Sequence, residues 1–181
     1  HHYPAAEWST VAPRYPRAQV LGLTATPQRD DGTPLGDMFE RLVVVANYSE
    51  LVRDGYLVEA RVLQPPRHLG RDLAQDPLQA WAEHSGGSPT FVFCARVAIA
   101  HELAQRFRDA SVLAETVEAN TPTRERDRIL ERFRSGKTRV LTNVFALTEG
   151  VDIPEARCAV LARSFVFVGA YLQAVGRVLR P

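Results

Sequence analysis

The apolar positions of this chain change rhythm along its length. From Thr90 onward, short apolar runs alternate with longer stretches whose apolar residues recur at helical spacing. The runs Thr90 to Cys94, Ala114 to Glu118, Arg139 to Thr142 and Cys158 to Ala162 predict strands; Val97 to Phe107, Pro122 to Phe133 and a segment from about Gly169 predict helices. Strands alternating with helices of this length predict an α/β fold, with βαβ units and a parallel sheet covered on both faces.

The helix from Pro122 carries its own signals. Thr121 is the expected N-cap, proline stands at the first position, Glu125 lies in the first turn, and Ile129, Leu130 and Phe133 form the apolar stripe. Arg124, Arg128 and Arg132 recur every four residues on another face, but Glu125, Asp127 and Glu131 interleave with them, so a solvated face is expected.

Before Thr90 the pattern is sparser. Val20 to Leu23 reads as a buried strand stopped by Thr24-Ala25-Thr26-Pro27, and Leu42 to Ala46 and Arg61 to Leu63 read as two more. Ser49 is the expected cap of a short helix from Glu50 to Asp54, which Gly55 ends. Gln64 to Pro77 is polar and proline-rich, a short helix follows around Leu78 to His84, and Gly86-Gly87-Ser88-Pro89 makes a second break. The expected organisation is a first unit at 1–63, a linker at 64–86 and a second unit at 87–181.

Composition narrows the class. The chain has 181 residues, 45% hydrophobic and 24% charged, as in ordinary globular domains. No apolar run approaches the ~20 residues that cross a bilayer. The first residues, His1-His2-Tyr3-Pro4, lack a signal peptide's charged and apolar regions, so a cytoplasmic setting is expected. Cys94 and Cys158 lie far apart in apolar segments, which predicts core thiols rather than a disulfide or zinc site. Net charge is +1, and Lys137 is the one lysine beside 21 arginines. That bias suits phosphate recognition, and a GC-rich coding sequence accounts for it equally well.

Candidate chemistry concentrates at the end. In Gln173-Ala174-Val175-Gly176-Arg177-Val178-Leu179-Arg180-Pro181, Arg177 and Arg180 stand three apart, which on a helix puts two permanently charged guanidinia on one face. Guanidinium donors grip phosphate oxygens in pairs, so a nucleoside triphosphate is the first ligand to test. Ser135-Gly136-Lys137-Thr138 imitates a phosphate-binding loop in the wrong context, since a helix precedes it and a strand follows. Gly136 is better read as the left-handed residue closing that helix.

Glu149 to Pro154 follows a strand end, where open α/β sheets bind ligands; Gly150 permits a tight turn, and Asp152 can accept from hydroxyls. A plain surface turn explains the same residues. Thr24 and Thr26 are either a hydrogen-bond relay or a local hydroxyl turn. His68, His84 and His101 share no ligand spacing, so no metal site is expected; taken alone, His1 and His2 read as a purification-tag remnant.

In this order the segments resemble the superfamily 2 DExH-box helicases and translocases. Gly22 to Pro27 is similar to motif III, Phe91 to Glu102 to motif IV and its helix, Asn120 to Arg126 to motif IVa, Leu147 to Pro154 to motif V and Gln173 to Pro181 to motif VI. Leu35 to Phe39 and Glu50 to Leu57 are similar to the branch containing DNA-repair helicases and restriction-enzyme translocating subunits.

The resemblance implies the end of one RecA-like lobe and most of a second, with ATP and Mg2+ held mainly by parts preceding residue 1. It implies that His1 closes a Walker B box whose acid pair lies upstream, so the 181 residues are expected not to hydrolyse ATP alone. Arg177 and Arg180 would reach the γ-phosphate, and Gln173 would support the nucleotide or attacking water. Asp152 and Gly150 would meet the nucleotide, Thr24 and Thr26 would couple its state to strand binding, and Asn143, Thr148 and Arg96 would contact nucleic acid. Motif V usually starts with threonine or aspartate where this chain has Asn143-Val144-Phe145. The expected partner is DNA more than RNA; an RNA helicase and a non-catalytic binding module remain the alternatives.

Overall fold

The computed structural model describes residues 10–27, 35–37, 39–63, 73–144, 146–147 and 152–181. Its centre is a four-stranded parallel sheet of β1 (Thr90–Cys94), β2 (Ala114–Val117), β3 (Val140–Asn143) and β4 (Cys158–Ala162), in the order β2-β3-β1-β4. Register is fixed by pairs such as Phe91 with Leu141, Phe91 with Ala159 and Thr116 with Thr142.

Strand order explains helix placement. Passing from β1 to β2 crosses the sheet one way and returning to β3 crosses it the other, so right-handed connections put the two intervening helices on opposite faces. One face holds α2 (Pro77–His84) and α3 (Val97–Asp109): Ala100, Leu103, Ala104 and Phe107 of α3 bury against Val92, Cys94 and Val140. The other holds α4 (Thr123–Arg134) and α5 (Val168–Val175), where Ile129, Leu130, Phe133 and Ala174 meet Phe91, Phe93, Val117 and Leu141. Alternation in β1 is therefore literal, with Phe91 and Phe93 on one side and Val92 and Cys94 on the other.

Aromatic packing locks both faces. Phe91 stacks on Phe133 at 5.3 Å, and Trp81 meets Phe107 edge-on at 5.5 Å. The Trp81 indole N–H also donates to Thr90 Oγ1 at 2.8 Å, which satisfies its polar end. Phe91, Phe107 and Phe133 are fully buried, which contributes about 1.5–3 kcal/mol for each, while Trp81 is half-buried. Burial pushes the Cys94 thiol up to about 11; Cys158 is half-buried rather than fully enclosed.

Several expectations are corrected. Val20 to Leu23, Leu42 to Ala46 and Arg61 to Leu63 are not strands: they have no ladder partner among the described residues. Their side chains are out, with Leu21 84% and Val45 92% exposed. A strand needs a neighbour for its backbone groups, whatever its apolar content. The Phe39 ring lies against Gly22 itself and leaves 3.0 Å for a Cβ there.

Helix α1 (Tyr48–Arg53) is capped by Asn47 rather than Ser49. Glu50 stands three residues after Asn47 and closes a reciprocal capping box, with Glu50 N donating to Asn47 Oδ1 at 3.0 Å and Asn47 N to Glu50 Oε2 at 2.8 Å. Thr121 does not cap α4: its hydroxyl accepts from Glu118 N, and Pro122 holds the cap position.

The expected linker splits. Residues 64–72 lie outside the described residues, while 73–86 carry α2, with Asp76 as N-cap, Pro77 in the first turn and Leu78 and Trp81 packed on the second core. Gly136 closes α4 at φ +73°, as its sequence position predicts.

Candidate functional site

Parallel strands put their carboxyl ends along one edge; Asn143 is the last residue of β3, and Arg96, Glu118 and Arg163 lie just beyond β1, β2 and β4. Arg96 is exposed there, in extended backbone at the start of α3. His101 pairs with Glu118 at the same edge. Asn143 is fully buried: its amide donates to Val92 O at 3.2 Å, and its Oδ1 has no partner among the described residues. As it stands it offers no surface to a nucleic-acid strand, because β3 sits between β1 and β2 and its side chain turns inward.

The closing segment departs from the expected geometry. Helix α5 ends at Val175, so Arg177 and Arg180 do not share a helix face. Gly176 takes the C-cap, donating to Leu172 O at 2.9 Å, and the next amides bond three residues back, Arg177 N to Ala174 O and Val178 N to Val175 O. A Cβ at Gly176 would lie 2.9 Å from Leu172 O, closer than such atoms approach, so this tight exit suits glycine. Pro181 disfavours helical backbone at Arg180 as well.

What the structure brings together is different. Arg180 Nη1 pairs with the Asp152 carboxylate. Arg134 Nη2 donates to Asp152 O at 3.3 Å, and Arg157 Nη1 donates to Arg180 O at 3.1 Å. Arg180 alone meets the carboxylate, while Arg134 and Arg157 are held on the backbone carbonyls of Asp152 and Arg180, which gathers three arginines and one carboxylate in one place, an excess of positive charge suited to phosphate oxygens. Asp152 is 79% exposed at its side chain. An ion pair this wet contributes about 0–1 kcal/mol, so a polyphosphate can exchange for it at little cost.

A second junction is further apart in sequence. Gln173 Nε2 on α5 donates to Thr26 Oγ1 at 3.0 Å, and Thr26 is buried at 5% exposure. Thr24 forms the local hydroxyl turn: its Oγ1 accepts from Thr26 N at 3.0 Å and donates to Thr26 O at 3.1 Å. The local-turn reading of the threonine pair therefore holds, and Thr24 shapes the turn that aims Thr26 at Gln173.

His1, Thr148 and Gly150 lie outside the described residues. Arg177 is half-buried. The donor set fits the phosphates of ATP, and Asp152 fits one of its hydroxyls. Among the described residues no cluster of three or more histidine, cysteine or carboxylate side chains forms a metal site. Arg134 and Arg157 escaped the sequence reading because neither stands in a recognisable pattern.

The family described as helicase conserved C-terminal domain matches residues 73–181. The chain is 30% identical to the DNA 3'-5' helicase XPB of Kineococcus radiotolerans over 89% of its own length and 32% of that protein. It is 26% identical to a 51.5 kDa protein of a Lactococcus phage, over 99% of this chain and 44% of the phage protein, so it spans less than half of either relative. The solved Escherichia coli DEAD-box protein SrmB, bound to regulator of ribonuclease activity A, superposes with a TM-score of 0.51 at 23% identity, covering 57% of this chain and 61% of that one. That likeness supports the RecA-like α/β sheet observed here. The chain belongs to the helicase conserved C-terminal domain family, within the superfamily 2 helicases.

Proposed function

We propose that the chain is the carboxyl-terminal part of an ATP-dependent DNA helicase or double-stranded DNA translocase. Residues up to about 63 close a first RecA-like lobe, and the second runs to residue 181. The observation that carries this reading is the Gln173 to Thr26 hydrogen bond, which joins the segments resembling motifs VI and III across 147 residues. A contact of that span lets a change at one motif be felt at the other.

ATP, bound mainly by another lobe, supplies the phosphoryl group whose transfer drives movement. Arg180 and Arg177 bring positive charge to its terminal phosphate, an effect worth ~10³ or more in rate. Asp152, once released by Arg180, accepts from the ribose, and Gln173 orients the nucleotide side of the cleft while holding Thr26. Arg96 and Thr148 grip the nucleic-acid backbone, which carries affinity without sequence preference. Asn143 joins them only where the end of β3 opens. DNA is favoured over RNA by the name of the Kineococcus relative, which spans most of this chain.

No phosphate-binding loop stands within these 181 residues, so the purified chain with Mg·ATP is expected to show no turnover. Extending the coding sequence upstream of His1 to include such a loop is expected to give ATPase that Arg180→Ala lowers about 10³-fold in kcat. Turnover by the 181-residue chain alone, abolished by Arg177→Ala, would falsify the assignment of a shared site. Stimulation by double-stranded DNA, single-stranded DNA and RNA is then compared. A response to RNA alone selects the RNA-helicase reading, and a start codon immediately before His1 selects the non-catalytic module.

A further inference from the structure

The backbone carrying Arg180 is held from two sides. Leu179 O accepts from Val58 N at 2.8 Å, and the next carbonyl, that of Arg180, accepts from Arg157 Nη1 at 3.1 Å. Arg157 belongs to the turn before β4, but Val58 is more than a hundred residues away. Val58 itself belongs to a small self-bonded unit, Asn47 to Ala60.

That unit is built around one hydroxyl. The Tyr48 phenol donates to Val58 O at 3.1 Å and accepts from Ala60 N at 2.9 Å. Leu51 O accepts from both Tyr56 N and Leu57 N, at 2.9 and 3.1 Å, folding the exit of α1 back on the helix. Gly55, at φ +80°, makes that reversal. Tyr48 therefore fixes the extended stretch 58–60 to its own helix, and the one outward amide of Val58 is spent on Leu179.

We infer that the Asn47–Ala60 unit is a clip that positions the segment bearing Arg180, with the Tyr48 hydroxyl as its positioning group. The clip transmits the placement of α1 to the residue the preceding section assigns to phosphate, and its role in catalysis rests on that assignment. Among the described residues the Tyr48 hydroxyl bonds Val58 and Ala60, not Arg180, and it acts through Val58 and Leu179. Two donors on consecutive carbonyls restrict the approach of the Arg180 side chain to Asp152, which is why loss of one should register at the guanidinium.

The test uses the 181-residue chain, reading backbone amide exchange and the Arg180 Nε–H resonance by NMR. Tyr48→Phe removes only the hydroxyl. The expected result is exchange about fivefold faster at Val58 and Ala60, as for a hydrogen bond of ordinary net strength. The Arg180 resonance should move towards that of a free arginine while β1 to β4 amides stay unchanged. Arg157→Met, which removes the other donor, should move the same resonance and leave Val58 protected. An unchanged Arg180 signal in Tyr48→Phe overturns the inference, whether or not Val58 loosens, and so does a change that spreads into the sheet. No nucleotide enters either measurement, so failure of the ATPase reading leaves these signals as they are, and failure of the clip leaves the ATPase result as it is.

Discussion

Residues 42–45 and residues 91–94 are equally apolar short runs, and the chain treats them in opposite ways. Phe91 to Cys94 are at most 1% exposed, whereas Leu42 to Val45 are 69–92% exposed and lie in no strand. The difference is in the neighbours. β1 sits between β3 and β4 and has helices on both faces, while the described residues bring neither a ladder nor a covering helix to 42–45. Apolar content proposes a strand, but partners decide whether one forms. Helices carry their hydrogen bonds with them, which is why α1 forms in the same region that leaves three candidate strands unpaired.

The largest test removes a side chain on each side of this contrast. Phe133→Ala deletes a ring that stacks on Phe91 at zero exposure, and about 3–5 kcal/mol of stability should go with it. Val45→Asp places a charge where a side chain is 92% exposed, and its effect should stay within about 0.5 kcal/mol. Urea unfolding followed by circular dichroism measures both. A loss above about 1 kcal/mol in Val45→Asp would show that 42–45 is packed in solution, and the contrast would break.

The same contrast explains what the sequence disclosed. β1 and β4 were legible to the residue because each is a short apolar run between turn signals; β2 and β3, half polar in sequence, were legible within one residue, and all four find partners. The helix faces were legible too, since Ile129, Leu130 and Phe133 need only their own period to be recognised. The site was legible as composition and less so as geometry. Gln173 meets Thr26 at one junction and Arg180 meets Asp152 at another, yet the helical face assumed for Arg177 and Arg180 fails at Gly176. Arg157, Arg134 and Tyr48 act through hydrogen bonds to distant carbonyls or amides, and such contacts leave no periodic trace.

A smaller effect separates the regions by pH. Burial pushes the Glu115 carboxyl up, but hydrogen bonds from Arg132 and from Thr138, with the Arg132 charge, outweigh it and hold it below its ordinary 4.5. A carboxyl depressed in the folded state stabilises above its unfolded pKa, and that contribution is lost as pH falls through the folded value. Stability of the sheet should therefore be level near neutrality and decline below about pH 4.5. Glu115→Gln should lower Tm by about 3 °C at pH 7 and flatten the decline. An equal slope in wild type and variant between pH 5 and 3 would assign the acid sensitivity to other groups.

The smallest effect is confined to α1. Asn47→Ala removes the side-chain half of the capping box, leaving the backbone N–H of residue 47 to donate to Glu50, and should cost the helix about 1 kcal/mol. No residue of that helix is fully buried, and among the described residues the hydrogen bond that ties its unit to the segment after α5 is that from Val58 to Leu179. The Glu50 and Leu51 amides should exchange about fivefold faster, with the unfolding midpoint of the whole chain unmoved. A midpoint that falls with the cap would mean that residues 10–63 unfold together with 73–181 as one cooperative unit. The two regions would then differ in how they are covered but not in how they are held.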